Sequence, residues 1–582
     1  MIFATFSSVS FVHVIQHDNT CESTASDQAR ELRNKLTYSI ILGILLSTGA
    51  AHGIAYNLQC GTHRKEEQMK NRLLLTLIAT VIPQLLFAQL TQQGPKLVGS
   101  GAVGDVIYQG TSVAISSDGN TAITGGKDDN NGTGAVWVFS RGAGGWTQQG
   151  QKLVGTDAVG RSNQGISVAL SSDGNTAVVG GSGDSGNTGA IWVFSRTGGV
   201  WTQQGQKLVG SGAASGAYQG SSISLSSDGN TLVEGGWGDV NMGSVTGAIW
   251  VFTRANGVWS QQGAKLVGSG SVANYPVYQG YSVAISSDGT TIADGAEADD
   301  TCKGAIWIFT RSGNLWTQQG AKLVGTVSVG ESCQGTSIAI SSDGNTVIEG
   351  GSQDDSLKGA VWVFTRSGNV WTQQGQKLVG SDFVGGPVQG SSVAISSDGN
   401  AAIVGGNYDY SALGAVWVFT RVNGVWTQKG SKVTVSDFEG NPNLGVSVAV
   451  SHEGTVIVGG ATDYYGLGAS WIFYDPDLGA APVPGYEPRA SRLLQNYPNP
   501  FNQSSKITFG VQEPSFAMIR VYDIRGREIS TLVKGQFEPG TYSLVFDGSN
   551  FPSGVYTYRL ESRQAGFSTG ALTETKQMWL LK

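Results

Sequence analysis

A unit of about 55 residues occurs seven times in this chain, and no other feature of the sequence limits its fold as strongly. The string Ser-Ser-Asp-Gly recurs at intervals of 55 residues with a single step of 60, and a degenerate seventh copy reads Ser451 to Gly454. A second string, Gly-Ala-(Val/Ile)-Trp-(Val/Ile)-Phe, has its tryptophan at Trp137, Trp192, Trp250, Trp307, Trp362, Trp417 and, in a variant copy, Trp471. A fixed period of this length predicts one repeat architecture rather than seven separate domains.

Each unit has the pattern of four short strands. In the second copy, residues 167–171 alternate apolar and polar, which predicts a strand with one buried face. Residues 176–179 and 190–194 are apolar throughout, and residues 201–209 form a fourth candidate strand. The 86 glycines of the chain supply the turns between them. Four antiparallel strands repeated radially are typical of a β-propeller, so the sequence predicts an all-β fold with a seven-bladed β-propeller over residues 89–474.

The repeated Gln-Gly-x-Ser-Val-Ala, Gly-Gly and Gly-Ala-Val-Trp-Val-Phe strings resemble the FG-GAP repeats of integrin α-subunit propellers and of their bacterial relatives. The Trp-Thr-Gln-Gln-Gly-x-Lys-Leu strand resembles the bacterial branch in particular. Two departures stand out. The Phe-Gly of the family is Gln-Gly here, as in Gln109-Gly110, and the calcium-binding hairpin of integrin propellers is reduced to Ser-Ser-Asp-Gly-Asn, which is too short to surround Ca²⁺.

The N-terminal region has the layout of an export signal. Residues 69–72 make a short basic start, Leu73 to Phe87 are apolar, and a small residue, Ala88, precedes Gln89, so residues 69–88 are predicted to be a signal peptide. Residues 1–68 precede this signal, and two interpretations are open for them. The apolar stretch from about Leu36 to Leu58 is a transmembrane segment, or residues 1–68 are an over-extended reading of the gene. The mature protein is expected to have no membrane span.

The composition changes again after Tyr474. Residues 475–492 contain several prolines and are predicted to be a linker, and residues 493–582 have the alternation of a small β-sandwich. This region resembles the C-terminal sorting domain of the type IX secretion system, through the motif at Asn496, Tyr497, Pro498, Asn499, Pro500 and Phe501 together with later strings such as Val521 to Gly526 and Ser553 to Tyr556. The resemblance implies binding to that secretion machinery, export to the surface or surroundings of a Gram-negative bacterium, and removal of the domain.

Residue usage argues against several function classes. The net charge of −7 gives no support for nucleic acid as a partner. Outside residues 1–68 the chain has a single histidine, His452, so neither a zinc site nor a Ser–His–Asp triad is expected. The protein is therefore predicted to bind an extracellular glycan or protein and not to be an enzyme. An enzyme acting on polysaccharides is one alternative, with Glu234, Asp294 and Glu349 as its nearest candidate residues, and a purely structural surface protein is another.

Every unit has an aspartate in the loop between its second and third strands, and these loops lie on one face. These aspartates are Asp129, Asp184, Asp239, Asp299, Asp354, Asp409 and Asp463. They are either ligand-face residues or Asx turns that satisfy loop amides. No cofactor is expected, except that the doublets Asp128 and Asp129, Asp299 and Asp300, and Asp354 and Asp355 are weak candidates for Ca²⁺.

Three further predictions concern particular loops and strands. The single long step comes from longer loops in units three and four, so Trp237, Asp239 and Tyr275 are the candidate ligand residues there. Cys302 and Cys333 lie in loops that a propeller brings to one face, where they form a disulfide or remain free thiols. Residues 90–98 read as a fourth strand before the first unit, whereas the seventh unit ends after its third strand at Tyr474. Residues 90–98 are therefore expected to complete the last blade.

Overall fold

The computed structural model describes residues 90–142, 144–241, 243–272, 276–452, 454–475, 478, 492–493, 496, 501–502, 504–511, 515–537, 540–549, 551–564 and 572–581. The predicted signal peptide, the segment before it and nearly all of the linker lie outside these residues. Within them, no helix has both the length and the apolar character that a membrane span requires.

The repeat region forms seven four-stranded antiparallel sheets in the described residues, one for each unit of the sequence. The first strands are Gln109–Ile115, Ser167–Leu170, Ser222–Leu225, Ser282–Ile285, Gln334–Ile340, Ser392–Ile395 and Ser447–Val450. The second strands are Thr121–Gly126, Thr176–Gly181, Thr231–Gly236, Thr291–Ala296, Thr346–Gly351, Ala401–Gly406 and Thr455–Gly460. We call these sheets blades one to seven.

The outer half of each blade follows the same order. The third strands are Ala135–Gly142, Ala190–Thr197, Ala248–Ala255, Ala305–Ser312, Ala360–Ser367, Ala415–Val422 and Ala469–Tyr474. The fourth strands of blades one to six are Gly145–Gln148, Val200–Gln203, Val258–Gln261, Leu315–Gln318, Val370–Gln373 and Val425–Gln428. Between the second and third strands, six blades have a short helical turn: Asp129–Gly132, Asp184–Asn187, Asp299–Cys302, Asp354–Leu357, Asp409–Ala412 and Asp463–Gly466. Blade three has the small hairpin Val240–Asn241 and Ser244–Val245 instead.

Hydrogen bonds between neighbouring first strands close the ring. A serine hydroxyl at each first strand donates to the carbonyl oxygen of a glycine at the start of the next blade, over 2.7–2.9 Å. In the last of these bonds, Ser447 of blade seven donates to Gly110 of blade one. Because the series returns to the blade where it began, the first strands are the innermost strands of a closed propeller.

The N-terminal strand completes blade seven, as the sequence predicts. Thr91–Gln92 pairs antiparallel with the third strand of that blade, in the register Thr91 to Tyr474 and Gln92 to Phe473. Leu97 extends the pairing with Ser470. Leu90 and Leu97 are buried, so this seam has an apolar interior as well as a backbone ladder. The ring is therefore closed by pairing between the first and last strands of the repeat region.

The core of the propeller lies between blades. The third-strand tryptophan of every blade is fully buried. Trp192 of blade two, for example, packs in one cluster with Val136 and Val138 of blade one. Each blade therefore depends on its neighbour for burial, which explains why a near-identical apolar pattern recurs in every copy.

The C-terminal region is a small β-sandwich of two sheets. One sheet contains Arg492–Leu493, Ser504–Val511 and Gly540–Asp547, and the other contains Glu528–Phe537, Ser515–Tyr522, Gly554–Gln564 and Leu572–Leu580. Phe501, at the end of the sorting motif, is buried between them against Phe546, with ring centroids 5.9 Å apart. The backbone N–H of Asn496 donates to the Tyr558 hydroxyl over 2.6 Å. Tyr497, Pro498, Asn499 and Pro500 lie outside the described residues.

Candidate functional site

Two repeat positions differ strongly between otherwise similar blades, and both lie where the chain enters a first strand or leaves a second strand. We call this side of the ring the upper face. The first position precedes each Gln-Gly or Leu-Gly pair and holds Tyr108, Asn163, Tyr218, Tyr278, Cys333, Val388 and Asn443. The second position follows each second strand and holds Lys127, Ser182, Trp237, Glu297, Ser352, Asn407 and Ala461. A constant framework with variable side chains at one rim is the arrangement that repeat proteins use for binding.

Three aromatic side chains meet at these positions in blades three and four. The rings of Tyr218 and Trp237 are stacked with centroids 4.4 Å apart and planes 10° apart. Tyr278 of the next blade meets Trp237 edge-on at 5.2 Å. All three rings are half-buried, so part of each remains open to solvent. We call Tyr218, Trp237 and Tyr278 the aromatic cluster.

The backbone of the cluster is unusual for aromatic residues. Tyr218 has φ of 58° and Tyr278 has φ of 66°, in the left-handed region that most side chains avoid. The residues at the equivalent position of the other blades also have positive φ, so the repeat fold imposes this conformation on whatever residue stands there. Glycine or asparagine would adopt it at lower cost. The presence of tyrosine at two adjacent blades therefore points to a use for the side chain.

A polar group lies beside the cluster in blade four. The Thr336 hydroxyl donates to Glu297 Oε2 over 3.2 Å, and the Tyr281 hydroxyl also hydrogen-bonds to this carboxyl. Burial raises the pKa of Glu297, which the two hydrogen bonds only partly offset. Desolvation likewise raises the pKa of Tyr281, with the Glu297 carboxyl adding to the shift. The upper face of blades three to five thus combines aromatic rings with a shielded carboxyl.

The seven loop aspartates are built into the fold. Each has one carboxylate oxygen within hydrogen-bond distance of a backbone N–H in the loop that enters its blade, as between Val159 and Asp184 at 2.7 Å. Each also pairs with a lysine from the outer edge of its own blade: Lys152 with Asp129, Lys207 with Asp184, Lys265 with Asp239, Lys322 with Asp299, Lys377 with Asp354, Lys432 with Asp409 and Lys96 with Asp463. All seven aspartates are at most 1% exposed. The geometry favours the structural interpretation, because both carboxylate oxygens already have partners.

The aspartate doublets have lysine partners too. Asp128 pairs with Lys127 at 2.9 Å, and Asp355 pairs with Lys358 at 2.7 Å. Asp300 is 4.0 Å from Lys303. Across the described part of the chain, no three histidine, cysteine, aspartate or glutamate side chains converge as a metal site would require. Calcium binding at the doublets stays a prediction.

The structure contains the disulfide between Cys302 and Cys333, with Cα atoms 4.6 Å apart. It joins the upper loop of blade four to the loop that enters blade five. Cys333 also occupies the variable position of Tyr218 and Tyr278, so the disulfide lies on the same rim as the aromatic cluster. Tyr275, the remaining sequence candidate in this region, lies outside the described residues.

Three carboxyl groups are buried deeper in the same blades. Glu234, Asp294 and Glu349 occupy equivalent positions on the second strands of blades three, four and five, and none has exposed surface. Asp294 accepts one hydrogen bond from the Gly280 N–H at 2.6 Å, and Glu234 accepts one from the Gly220 N–H at 2.7 Å.

The remaining oxygen of Glu234 and of Asp294, and both oxygens of Glu349, have no hydrogen-bond partner. Burial raises the pKa of all three carboxyl groups, that of Asp294 to about 8, and no charged side chain contributes to these shifts.

Sequence reasoning placed Trp237 at the site but missed Tyr218 and Tyr278. Their signal was present in the repeat itself. When the seven copies are compared position by position, the residue before Gln-Gly or Leu-Gly is tyrosine in three copies, asparagine in two, and cysteine or valine in the others, whereas the glycine that follows is the same in every copy. The stacking of Tyr218 on Trp237 requires knowledge of where the loop entering a blade lies against the end of the second strand, which the strand pattern does not provide.

Comparisons with known proteins give a direct match for the C-terminal region only. Residues 495–570 match the family model described as a secretion system C-terminal sorting domain. No curated protein matches the chain. Among solved structures, the chain is similar to hydrazine synthase of Kuenenia stuttgartiensis, at 12% identity and a TM-score of 0.41, covering 66% of this chain and 99% of that one. It is also similar to Sqt1 of Saccharomyces cerevisiae, at 13% identity and a TM-score of 0.36, covering 67% of this chain and 100% of that one.

The family match agrees with the sorting motif and with the small sandwich into which that motif packs. Such a domain directs a protein to the type IX secretion system, which delivers it to the cell surface or beyond. This chain therefore carries a β-propeller-like repeat region of four-stranded antiparallel sheets followed by a type IX secretion sorting domain, and it is a secreted or surface-attached bacterial protein.

Proposed function

We propose that the propeller is a binding or adhesion module displayed outside the cell, and that its ligand, a glycan or a protein, contacts the aromatic cluster of blades three and four. The observation that carries this proposal is the stack of Tyr218 on Trp237, flanked by Tyr278, at two variable positions of the repeat. Half-exposed aromatic rings offer apolar contact area and little conformational freedom to lose, which is why they dominate binding surfaces.

We also propose that the propeller is related to the FG-GAP repeats of integrin α-subunits. The departure from Phe-Gly to Gln-Gly has a physical explanation in the ring. Gln109 is buried, accepts a hydrogen bond from the Gly99 N–H at 2.6 Å and donates one to the Gly99 carbonyl at 3.0 Å. The glutamine thus ties the loop that enters the blade, and a related fold can be kept with a polar side chain at this position.

We propose binding rather than catalysis. General acid–base chemistry needs carboxyl groups within reach of substrate. The candidates Glu234, Asp294 and Glu349 have no exposed surface, and the loop aspartates are held in ion pairs. These features support a binding module over an enzyme that acts on polysaccharides. Removal of the sorting domain after export, as the resemblance implies, would leave the binding face unchanged because the aromatic cluster lies in the propeller.

Replacement of a residue of the aromatic cluster should weaken binding without unfolding the ring. The full chain and its Trp237→Ala, Tyr218→Ala and Tyr278→Ala variants would be applied to an array of glycans and to a panel of extracellular matrix proteins. We expect each variant to weaken binding to a ligand of the unmodified protein by about tenfold, since one stacked ring contributes on the order of 1 kcal/mol. Ser182→Ala, at the position of Trp237 in blade two, is the matched control. Equal binding by Trp237→Ala and Ser182→Ala would contradict the proposal.

A further inference from the structure

A second candidate site lies on the same upper face, between blades six and seven. A cavity of about 250 Å³ opens there. Its walls include Tyr410, Phe438 and Pro442, and its polar side includes Thr434 and the ion pair of Lys432 with Asp409. None of the aromatic cluster contributes to it.

The cavity has a cause in the sequence of this one junction. At the other six junctions, a glycine lies against the third-strand tryptophan of the next blade. At Gly380, for example, a Cβ would come within 2.2 Å of the Trp417 ring. Val435 replaces that glycine before blade seven. A valine cannot approach the Trp471 ring as closely, because its side chain would occupy the space that lies between glycine and ring at the other junctions.

Two further substitutions at the junction fit this change. The glutamine that clips the glycine elsewhere, as Gln389 does with the Gly380 N–H at 2.5 Å, is Leu444 in blade seven. The Trp471 Nε1–H donates to the Asp437 carboxylate at 2.7 Å. The Trp417 Nε1–H donates mainly to the Ser381 carbonyl at 2.7 Å and lies at 3.2 Å from the equivalent Asp382 carboxylate. The hydrogen bond between glutamine and glycine is thus absent at this junction, where Val435 and Leu444 are both apolar, and the cavity lies beside Val435.

Aromatic residues are concentrated around this space. The position of Phe438 is Phe383 in blade six, but alanine or serine in the first five blades: Ala102, Ala158, Ala213, Ser271 and Ser328. Tyr410 is 59% exposed, and the position it shares with Tyr464 holds no aromatic residue in blades one to five. These rings are not needed by the repeat fold, because five blades form without them.

The lining selects a class of ligand. The Lys432 and Asp409 charges cancel each other, so the wall has no net charge to attract an ion. Aromatic rings and a proline suit the apolar C–H face of a sugar ring, and the Thr434 hydroxyl and the Lys432 ammonium can serve its hydroxyl groups. The volume lies below the roughly 300–1,000 Å³ of sites for drug-sized ligands, which fits a single ring. We propose that the cavity between blades six and seven binds one pyranose unit of a neutral glycan, independently of the aromatic cluster.

The test uses the full chain and methyl glycosides of glucose, galactose and mannose, observed by saturation-transfer NMR. We expect the ring protons of at least one glycoside to receive saturation from the unmodified protein. Affinity should fall by about tenfold in Tyr410→Ala and in Phe438→Leu, because a stacked ring is lost or reduced. Tyr410→Phe should keep most of the affinity. Because Tyr410 is exposed, its replacement should not unfold the protein. Equal melting temperatures of the Tyr410→Ala variant and the unmodified protein would verify this.

Two control variants separate this proposal from that for blades three and four. Ser185→Ala changes the position of Tyr410 in blade two and should leave glycoside binding unchanged. Trp237→Ala should also leave it unchanged. Saturation of no glycoside, unaltered binding in both Tyr410→Ala and Phe438→Leu, or loss of binding in Trp237→Ala would overturn the assignment. Loss of array binding in Trp237→Ala together with retained glycoside binding would support both sites.

Discussion

The same second-strand position is occupied in opposite ways in two parts of the ring. In blades two, six and seven it holds Val179, Val404 and Val458, each packed in one cluster with an apolar residue of the preceding blade. In blade one the position holds Thr124, whose hydroxyl lies 2.9 Å from the hydroxyl of Ser470 in blade seven. In blades three, four and five it holds an acid. We call blades three to five the acidic sector and blades six, seven, one and two the regular sector.

The acids of the acidic sector face apolar neighbours. Glu234 pairs in register with Trp250, so it points into the same interface, which Ile191 and Val193 of blade two line. Asp294 and Glu349 repeat this arrangement in the next two interfaces. A carboxyl group in such surroundings is kept uncharged, because an ionised one would lack both water and a counter-ion. The acidic sector thus sacrifices stability directly beneath the aromatic cluster, which is where departures from regular packing are expected if that face is functional.

The two sectors are also held together differently. The acidic sector contains the disulfide of Cys302 with Cys333. The regular sector contains the seam, in which two ladder pairs and two buried leucines close the ring without a covalent bond. The regular sector should therefore depend most on its terminal strand, and the acidic sector on its protonation state.

Deletion of residues 90–98 should have the largest effect. It removes Leu90 and Leu97 from the core at about 2 kcal/mol each, and it leaves Asp463 buried without Lys96. We expect the free energy of unfolding of the ring to fall by about 5 kcal/mol or more, measured by denaturant titration of the full chain. Gln93→Ala, which keeps the strand and its backbone ladder, is the control. A deletion variant as stable as this control would show that the seam does not hold the ring.

An exchange of residues between the sectors should have an intermediate effect. Glu349→Val should raise the free energy of unfolding by about 1–3 kcal/mol at neutral pH, because an unpartnered carboxyl is replaced by the residue that packs at this position elsewhere. Val404→Glu should lower it by a similar amount or more. Denaturant midpoints of both variants, with the double variant as a check on additivity, would measure this. A destabilised Glu349→Val would mean that the carboxyl has a favourable partner that packing alone does not reveal.

The pH dependence from one buried carboxyl should be the smallest of the three effects when it is measured over one pH unit. The folded-state pKa of Asp294, about 8, lies above its ordinary value of 3.8 because of burial. Its contribution to stability is therefore complete below about pH 4, declines as the pH rises, and is lost once the pH passes through about 8. Between these limits the slope is about 1.4 kcal/mol per pH unit for each such group.

The pH prediction can be checked with one comparison. Melting temperatures of the unmodified chain should fall between pH 5 and pH 8 more steeply than those of the Asp294→Val variant. The corresponding Glu234→Val variant should flatten the curve further when combined with it, since burial raises the pKa of Glu234 as well. Parallel curves for the unmodified chain and the variants would refute the assignment of uncharged acids to the acidic sector.

The sequence was sufficient for the features that depend on period and on order along the chain. Strand alternation and the 55-residue spacing predict the blades. The fourth-strand pattern of residues 90–98, which stands before the first unit, predicts the seam. Placing Cys302 and Cys333 on one face left a disulfide and two free thiols as alternatives, and the structure contains the disulfide. Features that depend on the gap between blades were not accessible. In six blades the lysine partner of the loop aspartate comes from a strand edge 23–26 residues away, as between Asp129 and Lys152, and in blade seven Lys96 is 367 residues from Asp463. The cavity beside Val435 depends on how closely a loop can approach Trp471.

The seam also determines where the ring bears mechanical load. The last strand of the propeller ends at Tyr474, which pairs with Thr91 in the two-pair ladder. One residue later, Asp475 forms a buried ion pair with Lys429, which stands where blades one to five have a second glutamine directly after the fourth strand. Leu478, three residues further on, is buried in the same apolar cluster as Trp471. Tension applied through the linker therefore meets Leu478 and this ion pair before it reaches the ladder. The ion pair of Lys429 with Asp475 protects the non-covalent seam of the ring from tension exerted on its C-terminal side.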